Sequence, residues 1–430
     1  MIFKGITILN ENFQIEENMC VAVKDDRIAY IGKEMPKEPY GEVYDGKGKL
    51  LMPGFYNAHA HSPMTLMRGY GENLSLQDWL NNRIFPFEDK LNSHAVYWGT
   101  MLAMAESLRF GIVSSSDMYY FIDDMVAAVS DSGAKGNISR AIVNFDDSDV
   151  WQLPSMQELK RTFEAYHNHE NGRIKMDMSI HAEYTSNHLA VEAVSGYAKE
   201  KGANMHIHVS ETYREHEECK ERHHGMTPVQ YFNRLGAFDV PAIAAHCVWV
   251  EGEDFDILKE KGVTVASNPV SNLKLASGVC NVPKLLKMGI PVAIGTDSVA
   301  SNNSLNFFEE MKAFATVSKM AYKDPTAVTP VEALKAATLA GAQAQGRTDC
   351  GRLSEGWKAD LIVADIDVPN MYPVHNMINN LVYSASGSDI VLTMVDGKVL
   401  YRNGEYNTID IEKAVFESGK ATEQILLSLK

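Results

Sequence analysis

Through the middle of the chain, short apolar runs alternate with stretches whose apolar residues recur at helical spacing. The runs at 51–57, 111–117, 139–145, 174–181, 204–210, 242–246, 263–268 and 291–297 read as strands. Between them, 97–110, 155–167, 189–201, 227–235, 255–261 and 282–288 read as helices. A strand followed by a helix and another strand makes a right-handed crossover and a parallel sheet. Eight such units between residues 53 and 350 predict an α/β fold of the (β/α)8 TIM-barrel type, preferred over an open doubly wound sheet.

The two ends follow a different pattern. Residues 1–52 are short strands broken by turns, such as Asp45-Gly46-Lys47-Gly48. Residues 351–430 return to strands at 360–365 and 390–395, with Asp396-Gly397 marking a type I′ hairpin, and end on a helical pattern over 410–430. The reading is a small β-sandwich made from both termini (1–52 and 351–430) around a barrel over 53–350. The terminal helix offers a surface on which a homo-oligomer could form, and the sequence leaves the oligomeric state open.

Forty basic residues against 56 acidic ones leave a net charge of −16, which argues against nucleic acid or an anionic membrane as partner. No apolar run is long enough to span a bilayer, and the first residues lack the apolar core of a signal peptide. Five scattered cysteines without C-x-x-C spacing point to reduced thiols and a cytoplasmic location.

Fourteen histidines are many for such a chain, and their places matter more than their number. Barrel active sites lie at the C-terminal ends of the strands. Strand one ends in Asn57-Ala58-His59-Ala60-His61, strand four in His181, strand five carries His206-Ile207-His208, strand six ends in His246 and strand eight in Asp297. Residues i and i+2 of a strand share a face, so His59 and His61 can grip one ion. With His208 and Asp297 they form a three-imidazole, one-carboxylate set with room for water. That set suits one divalent metal, zinc in the first place, and Fe(II) by the same chemistry. His167 and His169 repeat the H-x-H spacing, but they follow a helical pattern and precede a helix stop. His216, His223 and His224 lie in a charged stretch read as solvated.

Glu211 follows His208 by three residues and is placed to shuttle protons beside a water that coordination has made acidic. His246 is read as a neutral partner orienting that water. Asp297 is read as both ligand and proton acceptor.

These residues carry a resemblance. The chain resembles the amidohydrolase superfamily. Within it, PGFYNAHAHSPMTLMRG (53–69), HVSET (208–212), SNPVSNLKLASG (267–278) and GTDSVASNNSLNFFEEM (295–311) are similar to the 5′-methylthioadenosine/S-adenosylhomocysteine deaminases. GRLSEGWKADLIVAD (351–365) is similar to that family's return into its small domain. The resemblance implies metal ligation by His59, His61, His208 and Asp297, proton shuttling by Glu211 and water contact by His246. It also implies substrate contacts at Trp79, Glu88, Arg140, His181, Glu211 and Asp297. Trp79 would cover an adenine face or a thioether, Glu88 would accept from both ribose hydroxyls, and His181 would read a ring nitrogen. Arg140 would bind an amino acid carboxylate where the substrate carries one.

Two departures stand out. After Arg140 the chain runs Ala141-Ile142-Val143-Asn144-Phe145-Asp146-Asp147-Ser148-Asp149, acidic where relatives offer a second arginine. His181-Ala182-Glu183-Tyr184-Thr185 replaces the family's His-Ser-Pro-Tyr-Thr. The first favours a neutral 5′-substituted adenosine. The expected function is therefore a metal-dependent hydrolytic deaminase of a small-molecule nucleoside. A guanine, pterin or triazine hydrolase and a catalytically silent barrel are the alternatives.

Overall fold

The computed structural model describes residues 1–429. The chain opens with β1 (Ile2–Leu9), β2 (Ile15–Lys24), β3 (Arg27–Gly32), β4 (Val43–Asp45) and β5 (Lys49–Pro53). Eight strands follow: β6 (Phe55–Ala60), β7 (Ile112–Tyr119), β8 (Lys135–Ile142), β9 (Ile174–Ile180), β10 (Met205–Val209), β11 (Ala242–His246), β12 (Thr264–Ser267) and β13 (Val292–Ile294). The chain closes with β14 (Leu361–Asp365), β15 (Ile390–Val395), β16 (Lys398–Arg402) and β17 (Glu405–Tyr406), then the helix Ile411–Ser428.

Strands β6 to β13 lie side by side in chain order, all parallel. The ring closes where β13 meets β6. Ala60 bridges Asp297, the Asp297 amide donates to the His59 carbonyl at 2.9 Å, and the Thr296 amide donates to Asn57 Oδ1 at 3.0 Å. A barrel, not an open sheet, is the result, and its closure sits at two of the functional candidates.

The termini share one mixed nine-stranded sheet, because β14 pairs antiparallel with β5. That sheet has its own core, including Phe3, Ile6, Val21, Leu361, Val363 and Leu392. The β15–β16 turn has Asp396 at φ 45° and Gly397 at φ 73°, both left-handed as a type I′ turn requires.

Two strand boundaries differ from the sequence reading. The run at 51–57 is two strands: β5 belongs to the terminal sheet and β6 to the barrel, with Gly54 between them. A Cβ at Gly54 would lie 2.3 Å from Val113, so only glycine lets the chain cross there. The run at 139–145 is displaced. Strand β8 starts at Lys135, because polar Lys135 and Asn137 find buried partners, Asp360 and Asp177. It ends at Ile142, because side-chain turns take over. The Asp146 amide donates to Asn144 Oδ1 (3.4 Å) and the Ser148 amide to Asp146 Oδ1 (2.9 Å).

Helices form where the periodicity places them, for example Ser93–Arg109, Pro154–Tyr166 and His188–Lys201. Asn92 and Asn187 cap the first and third by accepting backbone amides. The terminal helix buries Ala414, Ser418, Ala421 and Ile425, and His94 on helix Ser93–Arg109 pairs with its Glu417 at 3.2 Å. The charged stretch expected to be solvated is the helix Tyr213–Arg222. Its first turns pack inward, and Glu215, His216 and Cys219 are buried. No helix among the described residues is long and apolar enough to cross a membrane. All five cysteines are buried and free.

Candidate active site

The C-terminal ends of β6, β10 and β11 and the segment after β13 bring His59, His61, His208, His246 and Asp297 together. His61 Nε2 lies 3.3 Å from both His208 Nε2 and Asp297 Oδ1, and His59 Nε2 lies 3.6 Å from Asp297 Oδ1. His61 donates its Nδ1–H to the Met118 carbonyl (2.6 Å), and His208 donates its own to the His181 carbonyl (2.7 Å). With both Nδ1 atoms committed to backbone carbonyls, the two Nε2 atoms turn towards one another and towards Asp297. His59 places its Nδ1 2.9 Å from His206 Nε2, while its buried Nε2 has no hydrogen-bond partner.

These distances fit a divalent cation held between the side chains. Four ligands on zinc at 2.0–2.1 Å in a tetrahedron are separated by about 3.3 Å. The donor set, imidazoles plus one carboxylate, suits a divalent metal. Burial pushes the His59 imidazolium down to about 3, so this side chain is neutral and ready to donate. Burial also lowers His61, but the hydrogen bond and charge of Asp297 outweigh it and raise it to about 9. A divalent ion would take the place of that proton beside Asp297. Asp297 itself is braced: Oδ2 accepts from Ser271 Oγ (2.6 Å) and Ser301 Oγ (3.1 Å), and Oδ1 accepts from the Ser298 amide (2.7 Å). Despite burial, the flanking His59 and His61 imidazoles hold its carboxyl well below the usual range.

Glu211 Oε2 lies 3.8 Å from His246 Nε2. His246 Nδ1 sits 2.8 Å from Asn272 Oδ1, which turns Nε2 towards Glu211. Burial raises the Glu211 carboxyl, with His246 pulling partly the other way. Ser210, His246 and Asp297 all have left-handed backbone (φ 50°, 73° and 57°), a conformation that costs energy for a non-glycine residue and clusters at functional sites.

The segment between β6 and β7 forms short helical turns, Ser62–Met67, Leu76–Trp79, Leu80–Ile84 and Phe85–Glu88, over the mouth. It brings Trp79 and Glu88 into one cavity with His61, His181, Tyr184, His208, Glu211, His246 and Asp297. Tyr120 donates to Glu88 Oε2 at 3.4 Å, and burial lifts the Glu88 carboxyl to about 7. His181 sits 3.0 Å from Thr185 Oγ1 through Nδ1, and burial lowers it to about 4, leaving it neutral. Arg140 stands apart, in the wall of an outer chamber, paired with Glu158.

Several residues escaped the sequence reading. His206, which the sequence assigns no role, contacts His59. Glu215, in the charged stretch, accepts the amides of Ser210 (3.0 Å) and Glu211 (2.7 Å) and so fixes the loop that presents Glu211. The i−2 spacing from His208 and the i+4 spacing from Glu211 are the available signals. His216 is buried rather than solvated, while His223 and Arg222 bind the buried Glu183. His167 contacts the Met176 carbonyl at 3.0 Å, outside the site, and His169 is exposed.

The model of the Amidohydrolase family matches residues 50–400, and the chain belongs to that family. It is 40% identical over 429 residues to the 5-methylthioadenosine/S-adenosylhomocysteine deaminase of Thermoanaerobacter pseudethanolicus, covering 99% of both chains. It is 40% identical over 406 residues to the 5′-deoxyadenosine deaminase of Methanosarcina mazei, covering 94% of this chain and 93% of that one. The crystal structure of an adenosine deaminase from Xanthomonas campestris with bound zinc superposes with a TM-score of 0.93 at 29% identity, covering 99% and 98% of the two chains.

Proposed function

We propose that this protein is a metal-dependent hydrolytic deaminase of adenosine-type nucleosides, a class that includes 5′-methylthioadenosine, S-adenosylhomocysteine, adenosine and 5′-deoxyadenosine. The observation that carries the reading is the convergence of three imidazole nitrogens and one carboxylate oxygen beside the Glu211–His246 pair. The names of the relatives at 40% identity support the substrate class.

His59, His61, His208 and Asp297 would hold one divalent ion, zinc by the precedent of the Xanthomonas structure. Bound there, such an ion supplies Lewis acidity and lowers the pKa of water towards neutrality. His246 Nε2 accepts a hydrogen bond from the attacking water and points it at C6 of the adenine ring. Glu211 accepts a proton from that water and returns it to the ring nitrogen next to C6. A carboxyl raised by burial suits both halves of that transfer. Asp297, ionised and braced by two serine hydroxyls, acts as ligand and second proton acceptor. The second water proton, taken by Asp297, passes to the amino group, the C6–N bond breaks to release ammonia, and the oxygen left on C6 becomes the carbonyl of the inosine product. Trp79 covers the ring or the 5′ substituent, His181 contacts a ring nitrogen, and Glu88 accepts from the ribose hydroxyls.

Metal-replete protein should release ammonia from 5′-methylthioadenosine, 5′-deoxyadenosine and adenosine. Ammonia from guanine or an aminotriazine, with none from these adenosines, would overturn the reading.

A further inference from the structure

An outer chamber of about 780 Å³ opens beside the inner cavity and shares Phe85, Glu88, Tyr120, Ala141 and His181 with it. Glu88, the residue assigned to the ribose, stands on the shared wall. A nucleoside with its ring in the inner cavity therefore sends its 5′ substituent into the outer chamber. Much of that wall is apolar: Phe85, Tyr120, Phe121, Val143 and Phe145, the last 77% exposed.

The charges are unequal. Among the described lining residues, Arg140 is the cation, against Glu88, Asp89 and Glu158. Arg140 is also occupied. Its Nε donates to Glu158 Oε2 at 2.8 Å, its Nη1 donates to the Ala141 carbonyl at 2.8 Å, and its guanidinium carbon lies 4.7 Å from the Tyr120 ring centre. Glu158 is fixed in turn, because its other oxygen accepts the Ile122 amide at 3.1 Å. A carboxylate entering this chamber meets an arginine whose charge is already matched, with acidic groups around it.

We propose that Glu158 determines 5′ specificity: by engaging Arg140 it makes the outer chamber accept uncharged or ammonium-bearing 5′ substituents and disfavour those ending in a carboxylate. This inference rests on the nucleoside deaminase reading. Glu158 acts through Arg140, as a positioning residue.

The test uses metal-replete enzyme and ammonia release from three nucleosides: 5′-methylthioadenosine, S-adenosylhomocysteine, and the latter's decarboxylated analogue, 5′-(3-aminopropylthio)adenosine. The analogue should exceed S-adenosylhomocysteine in kcat/KM by about tenfold. Equal values, or a preference for S-adenosylhomocysteine, overturn the proposal without any variant. Glu158→Gln keeps the shape and removes the charge, so the ratio should move towards S-adenosylhomocysteine by about tenfold. Adding Arg140→Gln should return the ratio to that of the wild type. A purely structural role for Glu158 would lower all three substrates together and leave the ratio fixed, which also overturns the proposal. If none of the three nucleosides releases ammonia, the functional reading itself falls. If they do and only the ratio fails, Glu158 alone is misassigned.

Discussion

Both ends of the barrel bury polar side chains, and they treat them in opposite ways. At the N-terminal end, Lys135 pairs with Asp360 and, at 2.7 Å, with Asp396. Tyr56 donates to Asp360 Oδ2 (2.5 Å) and the Asp396 amide to Oδ1 (2.8 Å). Nearby, Arg347 donates to the carbonyls of Gly136, Gly172 and Arg173 and to Asn137 Oδ1, and Asn137 donates to Asp177. At the C-terminal end, His59 Nε2, His206 Nδ1, Asp117 Oδ2, Tyr119 Oη and Asn268 Oδ1 are buried without a partner. An unsatisfied buried polar atom costs about 1–3 kcal/mol, so five of them around one barrel mouth mark a place suited to completion by another group. The closed network serves the fold, and the open one serves a ligand.

The comparison breaks most visibly through the open end. His59→Asn should cost at least about a thousandfold in kcat/KM, because an ion at this site contributes several kcal/mol to the transition state. Metal content by elemental analysis should fall with it, while the melting temperature of the metal-free protein stays near that of the wild type. Glu211→Gln should lose about 10²–10⁴-fold in kcat yet keep its metal. A metal-free His59→Asn protein that melts far below the wild type would show that the mouth supports the fold after all.

The closed end should respond in stability. Lys135→Met leaves Asp360 buried without its cation, and breaking a buried pair from one side costs about 3–5 kcal/mol. Denaturant unfolding measures that loss. The fraction still folded should keep its metal and its kcat. An unchanged midpoint would mean that Tyr56 and the Asp396 amide alone can support the Asp360 charge.

The same contrast explains what was legible in the sequence. His59, His61, His208, His246 and Asp297 could be found because strand ends and i, i+2 alternation place side chains by rule. Lys135 and Asn137 misled, because a polar start hides a strand whose partners, Asp360 and Asp177, lie 225 and 40 residues away. Glu215 and His216 misled for a related reason. A charged helix looks solvated until a loop amide or a neighbouring strand claims its inner face. The cover that carries Trp79 and Glu88 has too short a period in each turn to announce itself, so its residues came from resemblance rather than from pattern. The Arg140–Glu158 pair joins a strand to the following helix, and no spacing rule selects that one acidic residue among several.

A finer test of the closed end is its pH response. Burial raises Asp177 from 3.8 to about 6, with the Asn137 amide and the charges of Lys175 and Arg347 opposing only in part. The sign follows from comparing the two states. Below about pH 4 the carboxyl is protonated both folded and unfolded, and burial carries no charge penalty. Between about pH 4 and 6 the unfolded chain ionises first, so stability falls as pH rises. Above about pH 6 the folded protein holds a buried carboxylate, and a shift of about two units corresponds to about 3 kcal/mol. Asp177→Asn removes the titration while keeping an oxygen for the Asn137 amide. Unfolding free energies of the two proteins should therefore nearly coincide at pH 4 and diverge to about 3 kcal/mol in favour of the variant at pH 7. Parallel curves would mean that the Asn137 and Arg347 network solvates the Asp177 charge as well as water does, and the closed end would then be more fully satisfied than its hydrogen bonds alone imply.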